Sequence, residues 1–173
     1  MRMMIFAVML LVAVSPTLAA ARCYDPEEVR AEQLLRLHSE LMVITVTCRQ
    51  GSMGRDLPGA YAKFTRDNIA ALHDAEAKLV AFYKENFGGN GIDRLDRLRT
   101  RLANEYGQQV ANLSAPIFCA QRRDKVATFC DAQPTVIADE IGRLCVAVRT
   151  EEKPCNVAAV PEDVVVAQVG KKP

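Results

Sequence analysis

Six cysteines, Cys23, Cys48, Cys119, Cys130, Cys145 and Cys155, carry the most reactive chemistry in this chain. Redox catalysis needs an accessible thiol of low pKa, usually in C-x-x-C ahead of a helix, and no two of the six have that spacing. In an oxidising compartment an even set reads instead as a disulfide framework, and all six are expected to serve as structural half-cystines.

The two histidines, His38 and His73, are the other candidates. A di-iron bundle places a glutamate three residues before a ligand histidine, and neither has one. No C-x-x-C-H run exists for covalent haem. His38 stands one turn before Met42, and a His with a Met can hold haem across a bundle, but a lone helix histidine is ordinarily a surface or core residue. Ser39 adjoins His38, yet adjacent helix positions point about 100° apart, so the two do not face each other. Asp93 with Asp96, and Glu27 with Glu28, interleave with arginines as solvated helix faces do. No catalytic, metal or cofactor residue is assigned, and no enzyme activity is expected.

Arg94, Arg97 and Arg101 form a one-sided row, followed by Arg122, Arg123 and Lys125. Such a row can dock an anionic lipid or cell-wall polymer, or it can be an ordinary face neutralised by Asp93, Asp96 and Asp124. The charge balance favours the second, and nucleic acid is not an expected partner. Asn68 and Asn104 interrupt apolar neighbourhoods, where each would act as a buried polar pin if it points inward.

The start of the chain explains where disulfides would form. Arg2 precedes an apolar run from Met3 to Val14, and Ala19-Ala20-Ala21 supplies small residues for cleavage, so residues 1–21 read as a signal peptide. The apolar run is shorter than the ~20 residues of a membrane span. Arg22 before Cys23 departs from lipid-anchor signals. The expectation is a periplasmic or secreted protein without a transmembrane segment. Losing Arg2 brings 22 basic residues into balance with 21 acidic ones.

The elements that would position these residues are helical throughout. Asp25-Pro26-Glu27-Glu28 opens a helix to about Gln50 with Leu34, Leu37, Leu41, Ile44 and Cys48 on one stripe. A second helix is expected from Ala60 to Phe87, a third from Ile92 to Asn112 after Gly88-Gly89-Asn90-Gly91, and a fourth from the Ser114 cap to about Asp131. A fifth is expected from Pro134 to Arg149. The fold class is an all-α, up-down bundle of four to five helices over residues 22–149, stapled by disulfides, with an irregular or partly disordered tail at 150–173.

In such a bundle the first and fourth helices run antiparallel as neighbours, which brings Cys48 and Cys119 to one end. Cys119 and Cys130, about three turns and ~16 Å apart on one helix, cannot bond. Cys145 with Cys155 would staple the helix-to-tail turn, leaving Cys23 with Cys130.

Leu41-Met42-Val43-Ile44-Thr45-Val46-Thr47-Cys48, the Tyr61 to Phe87 helix, Leu102-Ala103-Asn104-Glu105 and Phe118-Cys119-Ala120 together resemble a family of uncharacterised small exported helical proteins of Gram-negative bacteria. The resemblance covers about residues 34–120. It implies a bacterial periplasmic or secreted protein and no particular activity. The expected role is non-enzymatic, with a protein or cell-envelope partner; the alternative is a carrier of haem, metal or a small apolar ligand between the helices.

Overall fold

The computed structural model describes residues 23–48, 56–122, 125 and 150–155. Among them the chain is all-α, with five helices in the order α1 (Pro26–Thr47), α2 (Leu57–Asp67), α3 (Ile69–Phe87), α4 (Gly91–Leu113) and α5 (Ala115–Gln121). The expected helix from Pro134 to Arg149, Arg123, Asp124, Cys130, Cys145, the tail beyond Cys155 and the expected signal peptide at residues 1–21 lie outside the described residues.

The first helix begins as its sequence dictates. Asp25 Oδ1 accepts from the N–H of Glu27 and of Glu28, each at 2.8 Å, and Glu28 Oε2 accepts from Asp25 N–H at 2.8 Å. This reciprocal cap satisfies donors that a helix start otherwise leaves open. α1 ends at Thr47, a few residues short of the expected Gln50.

The expected second helix is two helices. The apolar stripe runs unbroken through Asn68, but the Asn68 side chain donates from Nδ2 to Phe64 O at 2.8 Å, the carbonyl its own N–H also reaches at 3.1 Å. A side chain that competes for the carbonyl four residues back bends the backbone, and α2 and α3 separate there. Asn68 is therefore buried, as a polar pin should be, whereas Asn104 is exposed and corrects the expectation of an inward residue. α2 also starts before Ala60: Asp56 accepts from Gly59 N–H at 3.1 Å and Pro58 falls in the first turn, where its missing N–H costs nothing.

Gly88 (φ 65°) and Gly89 (φ 71°) turn the chain from α3 into α4, both in the left-handed region that favours glycine. Gly91 then lets α4 touch α3, since a Cβ there would stand 2.3 Å from Val80 O. Ser114 occupies the cap position of α5 as expected but makes no capping bond, and its φ of 69° is left-handed.

Paired contacts fix the directions. Tyr24 meets Tyr83 and Glu27 meets Lys78, so α1 and α3 are antiparallel; Arg36 meets Glu105, and α4 returns parallel to α1. Glu40 meets Arg122 while Cys48 bonds Cys119, so α5 runs back against α1. α1 packs against each of the other four helices, and its Leu35, Leu37, Leu41 and Ile44 share one core with Leu79, Phe82, Leu98, Leu102 and Phe118. Each such side chain contributes about 1.5–3 kcal/mol by leaving water.

Two disulfides close the described chain. Cys48–Cys119, with Cα atoms 5.7 Å apart, is the expected bond. The second is Cys23–Cys155, Cα atoms 5.0 Å apart, and it corrects the expected pairings of Cys145 with Cys155 and Cys23 with Cys130. Residues 150–155 lie irregularly on the start of α1: Tyr24 N–H donates to Lys153 O at 2.9 Å and Cys155 N–H to Tyr24 O at 2.7 Å. The first residues of the expected tail thus belong to the packed body.

Candidate functional site

Because α1 is covered on nearly all sides, its polar residues are enclosed along with its leucines. Glu32, fully buried, accepts Arg36 Nε at 2.9 Å and takes the Glu151 N–H on both oxygens, each at 3.0 Å. Arg36 Nη1 goes on to Glu105 Oε2 at 3.0 Å. Burial pushes the Glu32 carboxyl above its ordinary value, against the pull of Arg36 and the Glu151 N–H. Burial disfavours charge on Arg36, yet Glu32 and Glu105 more than offset it and raise its pKa.

Beside this pair the Tyr24 and Tyr83 hydroxyls share a buried hydrogen bond of 2.9 Å. Burial pushes both phenols up, Tyr83 to about 12. Tyr24 also stands edge-on to Phe82, with ring centroids 4.7 Å apart.

Two turns along α1, Glu40 accepts Lys125 Nζ at 2.8 Å and lies 3.3 Å from Arg122 Nε. The Arg122 guanidinium also reaches Gln109 and covers the Phe118 ring at 3.8 Å. Burial, reinforced by Glu40, pushes the Tyr106 phenol up.

His38 forms the third group. Its Nε2 lies 2.9 Å from Tyr61 OH and 3.2 Å from Thr65 Oγ1, both on α2, and its ring stacks on Tyr61 at 5.2 Å. Burial and the Arg99 charge lower its pKa, while Glu76 opposes them. Ser39, the sequence neighbour, points elsewhere; the hydroxyls that do face the imidazole come from another helix. His73 is exposed on α3.

Two members of the expected arginine row have partners inside the chain, while Arg97 is exposed. Arg94 covers Phe87 at 4.1 Å, Arg101 pairs with Glu151, and between them Arg99 joins Glu76. Glu32, Arg36 and Glu40 carry the densest buried charge, and the sequence offered one signal for them. They recur every four residues on a helix whose leucines occupy more than one face, which leaves little surface for a solvated stripe.

Among the described residues, no group of three or more His, Cys, Asp or Glu is arranged to hold a metal ion, and no helix is long and apolar enough to cross a membrane. The chemistry of the three α1 groups is pairing: each acid meets a base or an N–H, and the imidazole meets two hydroxyls. No family model, curated protein or solved structure matches this chain.

Proposed function

We propose that this chain is an exported helical-bundle protein that works by contact with a protein or envelope partner and not by catalysis. The observation that carries the reading is the internal pairing along α1. Glu32, Arg36, Glu40 and His38 are engaged by other groups of the same chain, so the residues with chemical potential act as struts. Two disulfides support an oxidising compartment, as does the apolar start of the sequence.

Purification from the envelope and culture fractions of the native host, with chemical cross-linking, tests the proposal. The expected result is a specific cross-linked protein or cell-wall species and a preparation without visible absorbance. A stoichiometric chromophore, metal or small apolar molecule in the purified protein would replace it with the carrier reading.

A further inference from the structure

The two disulfides differ in what they hold and in who can reach them. Cys48 and Cys119 are 3% and 4% exposed and join two helices inside the core. Cys23 and Cys155 are half-buried and join the start of α1 to the stretch 150–155, across 132 residues of sequence. What the second bond retains is an irregular stretch, residues 150–155, whose other polar attachments among the described residues are few. They are the two backbone bonds to Tyr24, the Glu151 N–H on Glu32, and the Arg101–Glu151 ion pair near the surface.

That segment covers α1's most buried charge. Glu32 is 0% exposed, and among the described residues its oxygens accept from the N–H of Glu151 and from Arg36. Tyr24, also 0% exposed, is pinned by the same segment through both its N–H and its carbonyl.

We infer that Cys23–Cys155 is a thiol-sensitive latch that keeps residues 150–155 over Glu32 and Tyr24, while Cys48–Cys119 holds the helices together whether the latch is shut or open. Disulfide exchange requires a thiolate to approach a sulfur, so access sets the order in which the bonds yield. The reductant is a dithiol. Its thiolate attacks Sγ of one latch cysteine, forming a mixed disulfide and expelling the other as a thiolate that takes up a proton. The second dithiol sulfur then closes on the first, freeing the remaining cysteine as a thiol. Two electrons and two protons reach the protein, and the dithiol leaves as a cyclic disulfide. With the covalent tie gone, the ties that remain among the described residues are exchangeable hydrogen bonds and one ion pair, and the segment opens locally without global unfolding. Opening bares the Glu32–Arg36 pair and the Tyr24 edge, a surface that the closed form does not present.

The oxidised chain is titrated with dithiothreitol, quenched in acid, alkylated and mapped by mass spectrometry, with amide exchange followed in parallel. Cys23 and Cys155 are expected to become alkylated at about tenfold lower dithiol than Cys48 and Cys119, and the Tyr24, Glu151 and Cys155 amides to lose protection about tenfold while α3 and α4 keep theirs. Simultaneous reduction of both bonds overturns the inference, as does reduction of the latch with those three amides unchanged. Cys23→Ser with Cys155→Ser is expected to show the opened amides under oxidising conditions with the wild-type helical circular dichroism. A double variant without folded helices would show that the segment is part of the fold and not a latch upon it.

Discussion

The amide of Glu151 donates to both carboxylate oxygens of Glu32 at 3.0 Å, joining residues 119 positions apart in sequence. The oxygen nearer Arg36 also accepts its Nε, so one fully buried carboxylate fastens α1 to itself and to the returning chain.

Removing that carboxylate alone leaves the buried Glu151 amide without its acceptor and Arg36 with only the partly exposed Glu105 of the two acids it meets. Glu32→Ala is expected to cost about 3 kcal/mol in urea denaturation, because the buried guanidinium loses its enclosed partner and keeps only Glu105 at the rim. Glu32→Leu combined with Arg36→Met should recover most of the loss. A double variant no more stable than Glu32→Ala would show that the amide contact, and not the ion pair, sets the cost.

His38 makes stability depend on pH. Burial and Arg99 hold its folded pKa below the unfolded value of about 6.5, so as pH falls the unfolded chain binds the proton first. Its contribution is complete above about 6.5 and declines as pH drops toward the folded pKa. Melting at pH 5 and pH 7.5 should show this decline in the wild type. Changing His38 and His73 together to Gln should abolish that part of it and keep the helical fold.

Gly91→Ala places a methyl against Val80 O, where the ideal Cβ position is 2.3 Å away. A backbone carbonyl cannot step aside as a flexible side chain would. The expected loss is about 1–3 kcal/mol by chemical denaturation, with α4 and α3 displaced from each other. Gly107→Ala, with nothing within 4 Å of its Cβ position, serves as the control that should not destabilise.

Ser114 has φ 69° and ψ 152°, a region natural to glycine and costly to other residues, and its hydroxyl makes no capping bond in return. Ser114→Gly is therefore expected to stabilise by about 1 kcal/mol and raise the melting temperature by a few degrees. An unchanged or lower melting point would count against the strained turn.

What could be read from the chain in advance were features decided locally or by helix order. The Asp25 to Glu28 capping box, the Leu95, Leu98 and Leu102 stripe of α4 and the glycine reversal at Gly88 depend on neighbours a few residues away. Cys48 with Cys119 followed from helix direction alone. Asn68 was flagged as a buried polar residue, but periodicity passes straight through it and hid the break it causes. Asn104 lies two positions beyond Leu102, about 200° round the helix, so an apolar sequence neighbourhood did not mean an apolar face.

The buried charges of α1 were not legible because a glutamate and an arginine one turn apart read the same in water as in a core. Only the helices on every side of α1 make them interior. The path of residues 150–155 back to Cys23 has no local signal either: sequence proximity favoured Cys145 as the partner of Cys155, and packing on Tyr24 decided otherwise.

The central position of α1 also imposes an order on how the chain is made. Its residues emerge before those of the other helices, but groups that satisfy its enclosed carboxylates arrive late: the Lys125 ammonium lies 85 positions after Glu40, and the Glu151 amide lies 119 after Glu32. Contacts this distant require long loops to close before they return any energy, which slows folding. A nascent chain ending ahead of Thr150 therefore carries a scaffold helix whose anions still favour solvent. The enclosed carboxylates of α1 are fully satisfied only after residues far along the chain have returned to it.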